Sequence, residues 1–154
     1  MNSEPFRYTI MARPTMYNGT KYRSELEAAW AAFFDIRGIN SEYEPALDLV
    51  SWKPDFLIRV ADEFLLTEVK PFLTVAQWKS SGVLEKVAES IQGNNMAILL
   101  GASPLTPSSF LFRIEPLPID NPKFEPLIFG EIEDVERDWK RAKNTVQWRP
   151  NGKQ

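Results

Sequence analysis

The chain has no cysteine and no histidine among its 154 residues. The first absence excludes disulfides, thiolate metal sites and a thiol nucleophile. The second removes the Ser-His-Asp triad, the imidazole zinc site and imidazole acid–base chemistry. Any chemistry must run on carboxylates, lysine, hydroxyls and a hard metal ion. Long apolar runs are also lacking, and none approaches the roughly 20 residues of a membrane helix. The opening MNSEPFRYTI has neither the basic start nor the apolar core of a secretory signal, so no leader is expected.

What is present is the balance of one ordinary globular domain, with 44% hydrophobic and 25% charged residues. A net charge of −3 argues against a nucleic-acid binder until it is divided along the chain. Residues 1–23 carry +3, residues 137–154 carry +5, and the stretch between them carries −11. An acidic middle repels phosphate unless some carboxylates hold cations, and basic ends folded beside it would supply a phosphate grip. Solvated terminal Lys and Arg are the bland alternative.

No repeat, low-complexity tract or linker divides the chain. Leu26, Ala29, Trp30, Phe33 and Phe34 recur at helical spacing, and Gly38 sits where a helix-ending glycine belongs. Residues 41–49 read as a strand that Pro45 interrupts or places near an edge. Strands over 56–60 and 64–70, joined by a turn at 61–63, make a hairpin. Residues 74–91 have a helical pattern weakened by Gly82, Gly93-Asn94-Asn95 marks a turn, and 96–100 reads as a covered central strand. Proline is densest from Pro104 to Pro126, predicting loop and irregular strand, with strands at 110–114 and 127–129. Residues 133–144 read as a closing helix. The order predicts an α/β fold, a mixed central sheet flanked by helices.

Four polar residues stand where a core pattern would put something apolar. Asp55 opens a strand after Pro54, Glu68 and Lys70 share one face of the next strand, and Glu27 lies beside the apolar stripe of the first helix. Carboxylates on adjacent strands suit magnesium or manganese, and a lysine nearby suits activation of water for phosphodiester hydrolysis. Each residue also has a plainer reading. Ser24-x-x-Glu27 is a capping box, Pro54-Asp55 is a turn signal, and Glu68 with Lys70 would be a solvated pair. A dual role for Glu27 is expected to need a helix starting a turn earlier, at Thr20.

Pro54-Asp55 followed by Glu68-Val69-Lys70 resembles the core of the PD-(D/E)XK nucleases. Arg23-Ser24-Glu25-Leu26-Glu27-Ala28-Ala29-Trp30-Ala31 is similar to the first-helix signature of a small bacterial and phage-borne branch, one that resembles transposon end-cleaving and resolvase-like endonucleases. Pro14 to Gly19, Tyr43-Glu44-Pro45 and Leu99-Leu100-Gly101 extend the likeness over residues 14 to 101, with a weaker echo in Trp139 to Trp148. Trp52 departs from the branch, where a tyrosine is expected, and no glutamine–tyrosine motif of the RecB type follows Lys70.

The resemblance implies a restriction-endonuclease-like αβββαβ core spanning one domain, with residues 102–154 as a proline-rich arm and basic helix. It implies a catalytic set of Glu27, Asp55, Glu68 and Lys70, with Mg2+ (Mn2+ substituting) held by Asp55, Glu68 and the backbone carbonyl of Val69. Tyr17 and Arg23 would contact the DNA backbone. Lys140, Arg141 and Lys143 project from the last helix and would meet phosphates, or simply offset its dipole. Trp148 with Arg149 would stack on a base, or fold back onto the domain. DNA is the implied partner, a homodimer or larger DNA-processing complex the implied assembly, and the cytoplasm of a bacterial or phage-infected cell the implied setting. The rival reading keeps the fold without turnover, as a DNA-binding or assembly component. A further one is a subunit that cuts only inside a larger machine.

Overall fold

The computed structural model describes residues 13–47, 49, 52–91, 96–115 and 121–146. It opens on a hairpin, β1 (Thr15–Tyr17) and β2 (Thr20–Tyr22), that sequence reasoning missed. Its turn is Asn18-Gly19, both at positive φ, a pair favoured in two-residue hairpins because it accepts that backbone.

Helix α1 (Glu25–Ile36) follows. Gly38, at φ +69°, ends it where expected, and the Ile39 amide returns to the Phe34 carbonyl at 2.8 Å. Every residue from Glu27 to Phe34 is buried, so α1 is a central helix with more than one packed side. Trp30, Phe33 and Phe34 are at most 1% exposed, and each contributes about 1.5–3 kcal/mol by burial.

The main sheet has six strands in the order β3-β4-β5-β6-β7-β8. An antiparallel meander of β3 (Asn40–Tyr43), β4 (Phe56–Val60) and β5 (Glu63–Val69) comes first. The chain crosses over through two helices to β6 (Met96–Leu100), which pairs parallel with β5. Antiparallel β7 (Phe110–Glu115) and β8 (Asn121–Pro126) complete the sheet. The fold is therefore mixed α/β, as the alternation of elements predicted. The expected β4–β5 hairpin is present, with Ala61 at φ +54° in its turn, and the strand predicted over 41–49 ends at Tyr43, before Pro45.

Two expectations need correction. The single helix over 74–91 is two, α2 (Val75–Ser80) and α3 (Val83–Ser90), because Gly82 at φ +83° breaks the helical path between them. The strand expected at 127–129 is irregular, and the last strand lies earlier, within the proline-rich stretch. Pro122 and Pro126 are tolerated there because β8 is an edge strand with one unpaired border. The Gly93 turn lies outside the described residues.

Strand alternation sorts the core into two layers. Phe56, Ile58, Leu65, Val69, Ile98 and Leu100 pack with α1 and the closing helix α4 (Ile132–Thr145). Ala97, Leu99, Phe110 and Phe112 face Trp78, Leu84 and Val87 of α2 and α3. Trp52 joins this second layer, with its Nε1 buried and without a hydrogen-bond partner. No helix among the described residues is long and apolar enough to cross a membrane.

Candidate metal-binding and catalytic site

Glu27 is placed by the start of α1. Ser24 is extended at φ −144° and caps the helix, its hydroxyl accepting the Glu27 amide at 3.1 Å and donating to Glu27 Oε1 at 2.9 Å. Thr20 lies in β2 and α1 begins at Glu25, so the earlier start expected for a dual role does not occur. Oε1 serves the cap, while Oε2 accepts the Tyr43 hydroxyl at 3.2 Å.

Asp55 occupies the bend that feeds β4. Its amide donates to the Thr67 carbonyl and its own carbonyl accepts the Glu44 amide, both at 2.8 Å, which fixes the backbone on two sides. Its Oδ2 accepts the Val69 amide at 2.8 Å and its Oδ1 accepts Arg23 Nη2 at 2.7 Å. On β5, Leu65, Thr67 and Val69 are buried in the sequence-predicted alternation. Glu68 is set opposite them and is only 8% exposed. Lys70 lies just past the strand, where its amide reaches the Leu100 carbonyl at 3.0 Å, and its Nζ stands 3.9 Å from Glu68 Oε2.

Three carboxyls thus meet with little water. Asp55 lies near enough to both Glu68 and Glu27 for their charges to act on one another. Burial, then repulsion from Glu68, pushes the Asp55 carboxyl up to about 7. Burial, then the charge of Asp55, pushes Glu27 up to about 7. Such a cluster keeps protons or takes up a cation. Among the described residues no three acidic groups form a finished ligand cage, and the Arg23 guanidinium bridges Glu27 and Asp55 instead. The donor set nevertheless fits a hard divalent ion: it offers oxygen ligands only, and Glu68 Oε1 is buried without a hydrogen-bond partner.

The structure brings together Arg23, Glu27, Asp55, Glu68, Val69 and Lys70. Tyr17 is elsewhere, its hydroxyl donating to Asp35 Oδ2 at 2.7 Å in the last turn of α1. Lys140, Arg141 and Lys143 lie on the exposed side of α4, away from Val135, Trp139 and Ala142, which face the core. Trp148 and Arg149 fall outside the described residues. Tyr43 is the residue that sequence reasoning missed: its hydroxyl accepts the Arg23 amide at 3.0 Å and donates to Glu27. Its signal in the sequence is the Tyr43-Glu44-Pro45 motif.

No protein-family model matches the chain, and no significant match was found among curated proteins or solved structures.

Proposed function

We propose that the protein is a metal-dependent DNA endonuclease of the PD-(D/E)XK type. The observation that carries this reading is the meeting of Glu27, Asp55, Glu68 and Lys70, from three separate chain segments, in one partly buried acidic site. The element order supports it as well. A helix, an antiparallel meander, a helical crossover and a parallel fourth strand make an αβββαβ core, to which β7, β8 and α4 are added.

In this reading Asp55 and Glu68 hold Mg2+ or Mn2+, with the Val69 carbonyl as a third ligand. The ion, when bound, supplies Lewis-acid polarisation of the phosphodiester and lowers the pKa of water. Lys70 orients the attacking water and offsets charge gathering on the phosphate. Glu27 extends the acidic wall, and Tyr43 and Ser24 fix its two oxygens. The Asp55–Val69 bond keeps the reacting groups in register. DNA is the partner, met by Arg23 and by the outward lysines and arginine of α4.

The test is cleavage of linear, supercoiled, forked and four-way DNA across Mg2+ and Mn2+ titrations, with Lys70→Ala in parallel. Metal-dependent cutting that disappears in Lys70→Ala, with metal binding retained, is the expected result. If nothing is cut and calorimetry finds no metal binding that depends on Asp55, the nuclease reading fails.

A further inference from the structure

Arg23 immediately precedes the N-cap of α1, and its side chain is 61% exposed, whereas those of Glu27 and Asp55 are 8% and 7% exposed. Its Nη2 bonds Asp55 Oδ1 at 2.7 Å and stands 3.6 Å from Glu27 Oε2. Tyr43 holds the same residue from behind, through the backbone amide at 3.0 Å and Nε at 3.4 Å. One cation therefore bridges two buried carboxylates from the solvent side, while its Nε stands 3.7 Å from the exposed Glu44 Oε1. The site is left incompletely satisfied, because the third carboxylate keeps a buried oxygen, Glu68 Oε1, without a hydrogen-bond partner.

A divalent ion between Asp55 and Glu68 would satisfy that oxygen and bring two charges into the place where Arg23 supplies one. Ion and guanidinium would then compete for Asp55 and repel each other at short range. We propose that Arg23 is an intramolecular stand-in for the divalent cation: it closes the acidic site while no metal is present, and metal binding drives it outward to grip a phosphate of the substrate. This rests on the metal-dependent reading above and adds a coupling to it. Metal loading prepares the phosphate contact, and by reciprocity the phosphate contact favours metal loading.

The first experiment titrates Mn2+ into nucleic-acid-free protein by calorimetry and by electron paramagnetic resonance, comparing wild type, Arg23→Gln and Arg23→Lys. With its competitor gone, Arg23→Gln binds Mn2+ about 5- to 10-fold more tightly, and Arg23→Lys falls between. Arg23→Gln also melts at a lower temperature in EDTA and recovers when Mn2+ is added. Unchanged or weaker Mn2+ binding by Arg23→Gln, with wild type binding normally, overturns the stand-in role and leaves the metal site intact. Absence of Mn2+ binding in every variant overturns both. A measurement on wild type does not depend on how the variants fold: the Arg23 Nε–H resonance shifts on Mg2+ titration, and a fixed resonance overturns the proposal. The outward grip is read in the Lys70→Ala background, where Mn2+ strengthens binding of a DNA duplex and adding Arg23→Gln removes the gain. A gain that persists without Arg23 overturns the hand-over to phosphate.

Discussion

Asp55 accepts the Val69 amide at 2.8 Å, so the acid that opens β4 is pinned to the strand that carries Glu68. The bond crosses the β4–β5 pair just beyond the Phe56↔Thr67 register position. The spacing of these acids is consequently set by a backbone ladder.

The pH dependence of stability follows from the crowding of those acids. In the unfolded chain Asp55 and Glu27 lose their protons near their ordinary 3.8 and 4.5, whereas in the folded protein both hold them to about 7. Between those values the unfolded chain binds fewer protons, so the contribution of this pair to stability declines as pH rises from about 4 to about 7, then levels. Thermal midpoints in EDTA across this window should fall more for wild type than for Glu27→Gln. Equal slopes would remove the basis of the argument. Because metal ligands must be deprotonated, Mn2+ affinity should rise through the same window.

Glu68→Gln separates stability from function. The substitution keeps the shape and removes a charge that repels Asp55, so the metal-free protein should gain about 1 kcal/mol, a rise of roughly 2–4 °C in melting temperature. Mn2+ affinity should fall at the same time. A variant that melts lower in EDTA yet binds Mn2+ normally would show that Glu68 is a structural partner and not a ligand.

Trp30 links α1 to the sheet as well as filling the core. Its ring is fully buried, and its Nε1 donates to the Gly101 carbonyl at 3.0 Å. Trp30→Phe keeps an aromatic ring and leaves that buried carbonyl without its donor, which should cost about 1–3 kcal/mol. Urea unfolding measures the loss, and a midpoint equal to wild type would be inconsistent with it.

Gly101→Ala should destabilise by a different route. A Cβ there would stand 2.7 Å from the Phe72 carbonyl oxygen and would run into the buried Ser108 side chain. The carbonyl belongs to the backbone and also accepts the Ala102 amide at 2.9 Å, so it cannot yield cheaply. A loss of about 1–3 kcal/mol is expected in thermal unfolding. Wild-type stability would mean that the β6 exit relaxes freely.

Helical spacing made α1 legible, alternation made β5 legible, and short apolar runs marked β4 and β6. None of these patterns could place β8, whose residues 122–126 are exposed or half-buried and whose pairing comes from a neighbour in space. The β1–β2 hairpin has a turn signal in Asn18-Gly19, but strands of three residues are too short to show a period. For the site, Asp55, Glu68 and Lys70 could be brought together from strand geometry alone. The bridging role of Arg23 and the hydroxyl of Tyr43 depend on how the meander docks against α1, a tertiary fact that no local spacing encodes.

The two borders of the main sheet restrict how copies of this protein can join. β3 is four residues long, with Asn40 and Glu42 exposed, and β8 carries prolines at positions 122 and 126, which have no amide to donate. Neither border is a good template for a further strand. Two copies that met would therefore dock through helices or loops, and the geometry would be set by side chains that can change without disturbing the sheet.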